Sequence, residues 1–265
     1  MAHAPRFENA QLPSLSELLS VARDAAHAAG RLTLESFGRR VQPEIKPDGS
    51  PVTAVDKGAE SELRRIIQES FPTHTIVGEE GGTSPGDPRV RWILDPIDGT
   101  KAFIHGVPLY SVLVAVEVEG RPSVGVIHLP ALEETVEAAT GMGCRWNGKV
   151  SQVSSTESLS ESTIITTSVR ALEARGVPFH RLASATRTQR GWGDAYGFAL
   201  VATGRAEAAI EPKVGLWDVA PMLPIIEEAG GIATDWSGAR TILSSDFVAS
   251  NGAIHAQLLR LLTNI

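Results

Sequence analysis

Three acidic clusters carry the chemistry that can be read from this chain: Gly78-Glu79-Glu80-Gly81, Asp95-Pro96-Ile97-Asp98-Gly99-Thr100, and Trp217-Asp218. Each falls at a strand end or a helix start, where side chains converge without being swallowed by a core. Asp95 ends an apolar strand, and Pro96 is expected to force a turn that brings Asp98 back beside it. Two uncompensated carboxylates that close would repel, and Mg²⁺ resolves the conflict while keeping some of its waters. Gly99 and Thr100 come next as the opening of a helical turn. Its free backbone N–H groups make an anion site, with a hydroxyl alongside to orient a phosphate or a water. Cation carboxylates and a phosphate cradle within six residues point to metal-assisted phosphoryl transfer to water. Taken singly, Asp-Pro, Asp-Gly and Glu-Glu-Gly-Gly are ordinary turn sequences. Their order in one chain is what gives them weight.

The bulk properties are compatible with that chemistry. With 265 residues and 42% hydrophobic content, the chain can build one large domain or two smaller ones sharing a core. Lys and Arg number 24 against 31 Asp and Glu, a net charge of −7 that argues against a nucleic-acid partner. A bound metal ion can still invert the local field for an anionic substrate. The single cysteine, Cys144, cannot form an internal disulfide and is expected to be a small buried hydrophobe. The seven histidines include no i,i+4 pair, so a catalytic metal is expected to be hard and held by oxygen. The first dozen residues hold no signal-peptide core, and no apolar stretch approaches a membrane span. The expectation is a soluble cytoplasmic protein.

The elements that must position the clusters follow from periodicity and punctuation. Ser14 with Glu17 reads as a capping box opening a helix that runs toward Phe37 and closes at Gly38. Val41 to Thr53, with three prolines and Asp48-Gly49, reads as a hairpin or mobile loop. A second helix carries Val55, Ala59, Leu63, Ile66 and Ile67 on one face and stops at Phe71-Pro72. Strands are expected at 75–77, 90–94, 110–119, 123–129, 135–139 and 143–146, with a turn-rich loop over 83–89. The Ser-rich segment Asn147 to Glu161 is the candidate boundary between halves 1–147 and 148–265. Beyond it, strands are expected at 163–167, 206–210 and 247–249, with another after Gly230-Gly231. Helices are expected at 195–203, 219–229 and 254–262, and Pro224 should bend the second of these.

Taken in order, these motifs resemble the inositol monophosphatase family of Mg²⁺-dependent phosphatases. The resemblance runs from Gly78-Glu79-Glu80 through Trp92-Ile-Leu-Asp95-Pro-Ile-Asp98-Gly-Thr100 to Trp217-Asp218-Val-Ala and Glu228-Ala-Gly-Gly231. The first helix, the Lys46 loop and Thr53-Ala-Val-Asp56 also fit. It implies an α/β fold, a layered αβαβα sandwich, with an antiparallel-sheet N-terminal half carrying paired helices and a smaller α/β C-terminal half. It also implies a homodimer. Glu79, Asp95 and the carbonyl of Ile97 would hold one Mg²⁺, and Asp95, Asp98 and Asp218 a second, with a looser third ion near Glu79. Asp56 would hydrogen-bond Thr100, and Thr100 with Glu79 would orient the attacking water, the metal lowering its pKa and the carboxylate taking its proton. Gly99 and Thr100 would contact the phosphate.

For the leaving alcohol, the run Trp192-Gly-Asp-Ala-Tyr-Gly-Phe198 is similar to the histidinol-phosphate phosphatase branch, as are Asp235-Trp236 and Pro224-Ile-Ile-Glu-Glu. Asp194 is therefore a candidate substrate-binding carboxylate, suited to a substrate with a cationic amine. Glu211 is a second, since it matches a sugar-contacting position of the family and would meet the substrate under either reading. Asp194 also reads as a helix N-cap. Lys46, Lys101, Arg187 and Arg190 are weaker candidates for phosphate contact, and His105 reads as a loop histidine. Trp192 and Tyr196 read either as stacking partners for an imidazole or as core aromatics. The expected reaction is hydrolysis of L-histidinol phosphate. The alternatives are an inositol-1-phosphate or broader sugar- and nucleotide-phosphate phosphatase, and a regulatory or RNA-polymerase-associated role that the acidic balance and the intact carboxylates disfavour.

Overall fold

Ser14 starts the first helix as its position predicts: its hydroxyl accepts the Glu17 N–H at 3.3 Å, and the Glu17 carboxylate accepts the Ser14 N–H at 2.8 Å. That reciprocal cap opens α1 (Leu15–Ser36) in a computed structural model that describes residues 11–263. Residues 1–10, which include most of the stretch read as lacking a signal-peptide core, lie outside the described residues. The proline-rich segment forms the hairpin β1 (Glu44–Ile45) and β2 (Pro51–Val52), and Thr53 caps α2 (Ala54–Ser70) with Asp56 in the reciprocal role.

The first sheet follows, with β3 (His74–Gly78), β4 (Gly82–Ser84), β5 (Asp87–Asp98), the short helix α3 (Thr100–Ile104), then β6 (Ser111–Val118), β7 (Arg121–Leu129), β8 (Glu134–Ala139), β9 (Cys144–Trp146) and β10 (Lys149–Ser151). Its order is β10-β9-β8-β7-β6-β5-β3-β4, antiparallel except where β3 meets β5. The expected loop over 83–89 is mostly strand, because β4 folds back on β3 and β5 begins at Asp87. β10 likewise falls inside the polar segment read as the boundary between halves, where pairing with β9 outweighs poor strand composition.

The second sheet is built from β11 (Thr163–Ile165), then α4 (Val169–Ala174), α5 (Phe179–Ala185), β12 (Thr188–Arg190), α6 (Asp194–Ala202), β13 (Ala208–Glu211), α7 (Leu216–Val219), α8 (Met222–Glu228), β14 (Ile232–Thr234), β15 (Phe247–Ser250) and α9 (His255–Thr263). Its order is β12-β11-β13-β15-β14, parallel between β11 and its two neighbours and antiparallel elsewhere. The expected helix 219–229 is two helices. The break falls before Pro221, and Pro224 sits in the first turn of α8, where a missing N–H costs nothing. Glu228 at the end of α8 accepts the Gly141 and Gly143 N–H groups at 2.8 and 2.7 Å, tying that helix to the β8–β9 turn.

Alternation along the strands sorts the core into layers. Trp92, Leu94, Val114 and Val116 face α1 and α2 through Leu18, Ala22, Leu63 and Ile67. Ile93, Leu113 and Ala115 face the opposite way, onto Phe198 of α6 and Leu223 and Ile225 of α8. Ile165, Ala209 and Phe247 of the second sheet close that layer from the far side. Ile164, Ile210 and Val248 then pack outward on Leu172 and Leu258. The result is helix, sheet, helix, sheet, helix, the five-layer α/β architecture expected. Among the described residues no helix is long and apolar enough to cross a membrane.

Candidate active site

Pro96 does not turn the chain back. β5 runs on through Asp98, with Asp95 opposite Leu113 and Asp98 opposite Ser111, so three steps on β5 match two on β6. This is a β-bulge. In an unbroken strand residues three apart face opposite sides of the sheet. The extra residue brings Asp98 onto the face of Asp95, the one shared by Leu113 and the layer between the sheets. The Ile97 N–H donates to Asp95 Oδ1 at 3.0 Å and fixes the distortion. Asp98 Oδ2 accepts the Ser111 hydroxyl at 3.0 Å and the Ala195 N–H, in the first turn of α6, at 2.7 Å.

Asp218 enters from α7, oriented by the Gly215 N–H at 2.7 Å. One carboxylate oxygen each of Asp95, Asp98 and Asp218 lie within 4.8 Å of one another. Asp95 is 2% exposed and Asp98 8%. Burial, then repulsion by Glu79, Asp98 and Asp218, pushes Asp95 well above the usual carboxylate range. Asp98 is raised in the same way by burial and by Asp194 and Asp218, and Asp218 rises to about 7. Three clustered carboxylates repelling one another, two of them buried, are unfavourable without a counter-charge, and an all-oxygen donor set fits a hard divalent cation.

Glu79 and Glu80 stand on a turn held from beneath by Glu60 of α2, which sequence reasoning missed. Glu60 is buried and accepts the Glu80 and Gly81 N–H groups at 2.7 and 2.8 Å, while Arg64 binds it at 2.7 Å. A Cβ at Gly78 would lie 2.3 Å from that carboxylate, which is why glycine opens the motif. The available signal was spacing: Glu60 follows Asp56 by four residues on the buried stripe with Leu63 and Ile67. Lys46 leaves the hairpin to bind Glu79 at 2.7 Å and Glu80 at 2.5 Å. Burial opposes its charge, yet these two carboxylates hold its pKa above the ordinary lysine value.

Thr100 is placed where the expected hydrogen bond can form. Its hydroxyl lies 3.4 Å from Asp56 Oδ1 and 3.1 Å from the Ile97 carbonyl, and it opens α3. Gly99 precedes it with φ +76°, in the left-handed region, and a Cβ there would come 3.1 Å from Asp194 Oδ2. Asp194 therefore lies against the Gly99 turn. It is the first residue of α6 rather than its cap: Gly193 holds the cap position, and its carbonyl accepts the Gly197 N–H at 3.0 Å. Its own N–H donates to Thr167 Oγ1 at 2.6 Å, and that hydroxyl donates to Glu211 Oε1 at 2.7 Å. Thr167 was also missed, as a lone threonine past a strand has no distinguishing spacing. Glu211 is almost wholly buried, and burial with the nearby charges of Asp194 and Asp218 raises it to about 8.

A cleft of about 510 Å³ is lined by Glu79, Gly99, Thr100, Lys101, Trp192 and Asp194, among others. Lys101 and His105 stand on its wall, whereas Arg190 is exposed and binds the Gln189 carbonyl at 2.7 Å. Tyr196 packs against the central core, and Cys144 is buried with its thiol raised to about 12 by burial.

The inositol monophosphatase family model matches residues 14–265. A histidinol-phosphatase of Chlorobaculum parvum is 43% identical over 93% of this chain and 96% of its own length. A histidinol-phosphatase of Mycobacterium tuberculosis is 35% identical over 91% of this chain and 96% of its own. Among solved structures, an IMPase of Thermotoga maritima superposes with a TM-score of 0.87 at 33% identity, covering 94% of this chain and 97% of that one.

Proposed function

The chain belongs to the inositol monophosphatase family and is a metal-dependent phosphatase, and from that premise we propose that it hydrolyses L-histidinol phosphate to L-histidinol and phosphate with Mg²⁺ as the metal. One observation carries the choice of substrate. Asp194 is pressed against the Gly99 turn and Thr167 links it to Glu211, so two carboxylates stand beside the phosphate site. A leaving alcohol with an ammonium group pairs with such carboxylates, whereas a ring of neutral hydroxyls gains little from them.

In this reading Glu79, Asp95, the Ile97 carbonyl, Asp98 and Asp218 hold two or three Mg²⁺ ions. When bound, they supply Lewis acidity and a nucleophile at neutral pH. Thr100, steadied by Asp56, orients the attacking water, and Glu79 takes up its proton. The backbone of Gly99 and Thr100 holds the phosphate, and Asp194 and Glu211 hold the amine. A cytoplasmic homodimer belongs to the same proposal, with size-exclusion light scattering as its check.

The direct test is phosphate release from L-histidinol phosphate and inositol 1-phosphate side by side, with Mg²⁺ and then with EDTA. Fast Mg²⁺-dependent turnover of the first substrate is expected. A preference for the second would leave the metal chemistry standing and remove the substrate assignment. Asp194→Ala should lower the ratio of kcat/KM for histidinol phosphate over inositol 1-phosphate by about 10- to 100-fold, the worth of one charged hydrogen bond. An unchanged ratio would reduce Asp194 to a structural role.

The raised carboxyls also set a pH dependence. In the metal-free fold Asp218 titrates near 7 and Glu211 near 8, whereas in the unfolded chain both titrate in the ordinary range, about 4. Raised pKa values mean that folding takes up protons. Their contribution to stability is complete below about pH 4 and is lost as pH rises through 7 and 8. Mg²⁺ competes with those protons, so the rise in Tm on adding Mg²⁺ is expected to be larger at pH 8.5 than at pH 6. Scanning fluorimetry at both values checks it; an equal rise would mean the carboxyls are already ionised at pH 6.

A further inference from the structure

Two rings flank the mouth of the cleft, and the mechanism above uses neither. His105 closes α3 and Trp192 lies in the segment before α6, with ring centroids 6.2 Å apart and planes at 63°. Both line the same cleft as Gly99, Thr100 and Asp194. His105 Nδ1 lies 2.7 Å from the Lys101 carbonyl, which can only accept, so that nitrogen carries the proton. In the neutral ring Nε2 is then a bare acceptor. Trp192 is 45% exposed, a large apolar surface left in water. Its φ is +54°, Asp194 follows at +42°, and only Gly193 separates these two left-handed non-glycine residues. Such backbone costs energy, and it is retained where the surroundings hold it in place for a purpose. Here the Thr167 hydroxyl anchors the Asp194 N–H, and the indole is delivered to the cleft beside the histidine.

We propose that His105 and Trp192 form a subsite for a planar heteroaromatic ring bearing an N–H donor, which lies against the indole and donates to His105 Nε2. The proposal rests on the histidinol-phosphate reading and deepens it by giving the imidazole its own receptor: phosphate at Gly99 and Thr100, ammonium at Asp194, ring against Trp192 with its N–H on His105. The two residues bind at a distance from the reacting phosphorus, so their effect falls on selectivity. Alcohols without a ring have nothing to place there.

The test uses the full chain with Mg²⁺ and two readouts. The first is the ratio of kcat/KM for L-histidinol phosphate over glycerol 2-phosphate in wild type, Trp192→Ala, Trp192→Phe and His105→Ala. The second is calorimetric binding of L-histidinol in the presence of inorganic phosphate, which needs no turnover. Trp192→Ala and His105→Ala should each lower the ratio and weaken L-histidinol binding by about 10-fold, the scale of one ring stacked on an aromatic. Trp192→Phe, which keeps a ring, should recover most of both. If wild type prefers histidinol phosphate but both readouts stay within twofold in the alanine variants, the ring subsite is overturned and the substrate assignment stands. If wild type prefers another ester but L-histidinol binding still depends on both rings, the assignment falls and the subsite stands. Absence of L-histidinol binding to wild type overturns the subsite outright.

Discussion

Asp98→Asn is expected to lower kcat/KM by about 10³-fold or more while leaving the protein folded, because it removes a full charge worth several kcal/mol in the transition state. The asparagine oxygen can still accept the Ser111 hydroxyl and the Ala195 N–H, the two bonds that Asp98 makes in the structure. What goes is a negative charge from a group of carboxylates that repel one another. The metal-free variant should therefore melt at the wild-type temperature or a few degrees above it, by about 1 kcal/mol of relieved repulsion. The gain in Tm on adding Mg²⁺ should largely vanish. Activity and scanning fluorimetry, each with and without Mg²⁺, check both halves. Activity within tenfold of wild type, with the Mg²⁺ response intact, would falsify the assignment of Asp98 as a metal ligand.

Gly125→Ala should damage stability more than any catalytic substitution does. Gly125 lies on β7, paired with Ala115 and Ala138, and a Cβ there would sit 2.2 Å from the Pro221 carbonyl oxygen and 3.1 Å from Ile225. Backbone meets backbone at this point, so no rotamer change relieves the clash. Forcing a methyl into such a contact costs about 3 kcal/mol, which lowers Tm by about 6–12 °C in a chain of this size. Pro221 opens α8 three residues after Asp218, so the displacement should also weaken Mg²⁺ binding. Gly58→Ala is the internal control. Gly58 lies in α2 with open space at its Cβ position, and alanine there should be neutral or stabilising by about 0.5–1 kcal/mol. A wild-type Tm for Gly125→Ala would show that α8 can yield without cost.

The parts of the fold that were legible in advance are those decided locally. Ser14 with Glu17 marks the start of α1, because both partners of the cap lie within one turn. The strand β7 and the turn before it are equally local, with Glu119 and Gly120 both at positive φ, as a two-residue hairpin turn requires. The bulge between Asp95 and Asp98 is different in kind, since it exists only in the register of β5 against β6. Proline 96 marked an irregularity there, and whether that meant a turn or a bulge is decided on the neighbouring strand. Pro221 and Pro224 show the same limit. Either could end a helix, and the clearance between α8 and Gly125 is invisible in a linear reading. The short helices α4 and α5 went unread because neither is long enough to show a helical period.

In the site, the convergence of Asp95, Asp98 and Asp218 was legible because motifs that are ordinary singly follow one another in one chain. Their supports were not. Glu60 looks like any surface acid on a charged helix until its burial is known, and Thr167 acquires meaning only because Asp194 and Glu211 meet at its hydroxyl.

The bond from the Ala195 N–H to Asp98 joins the helix that presents Asp194 to the cluster of Asp95, Asp98 and Asp218. It asks nothing of the Ala195 side chain, because the donor is main chain. Trp192 and Asp194, the side chains of this stretch that line the cleft, can thus change without removing that donor, whereas Ala195 and Phe198 are held by the core. Substitution at those two cleft positions leaves the main-chain support of the acidic cluster in place. Relatives bearing different substrate names on one scaffold are the outcome such a division of labour would leave behind.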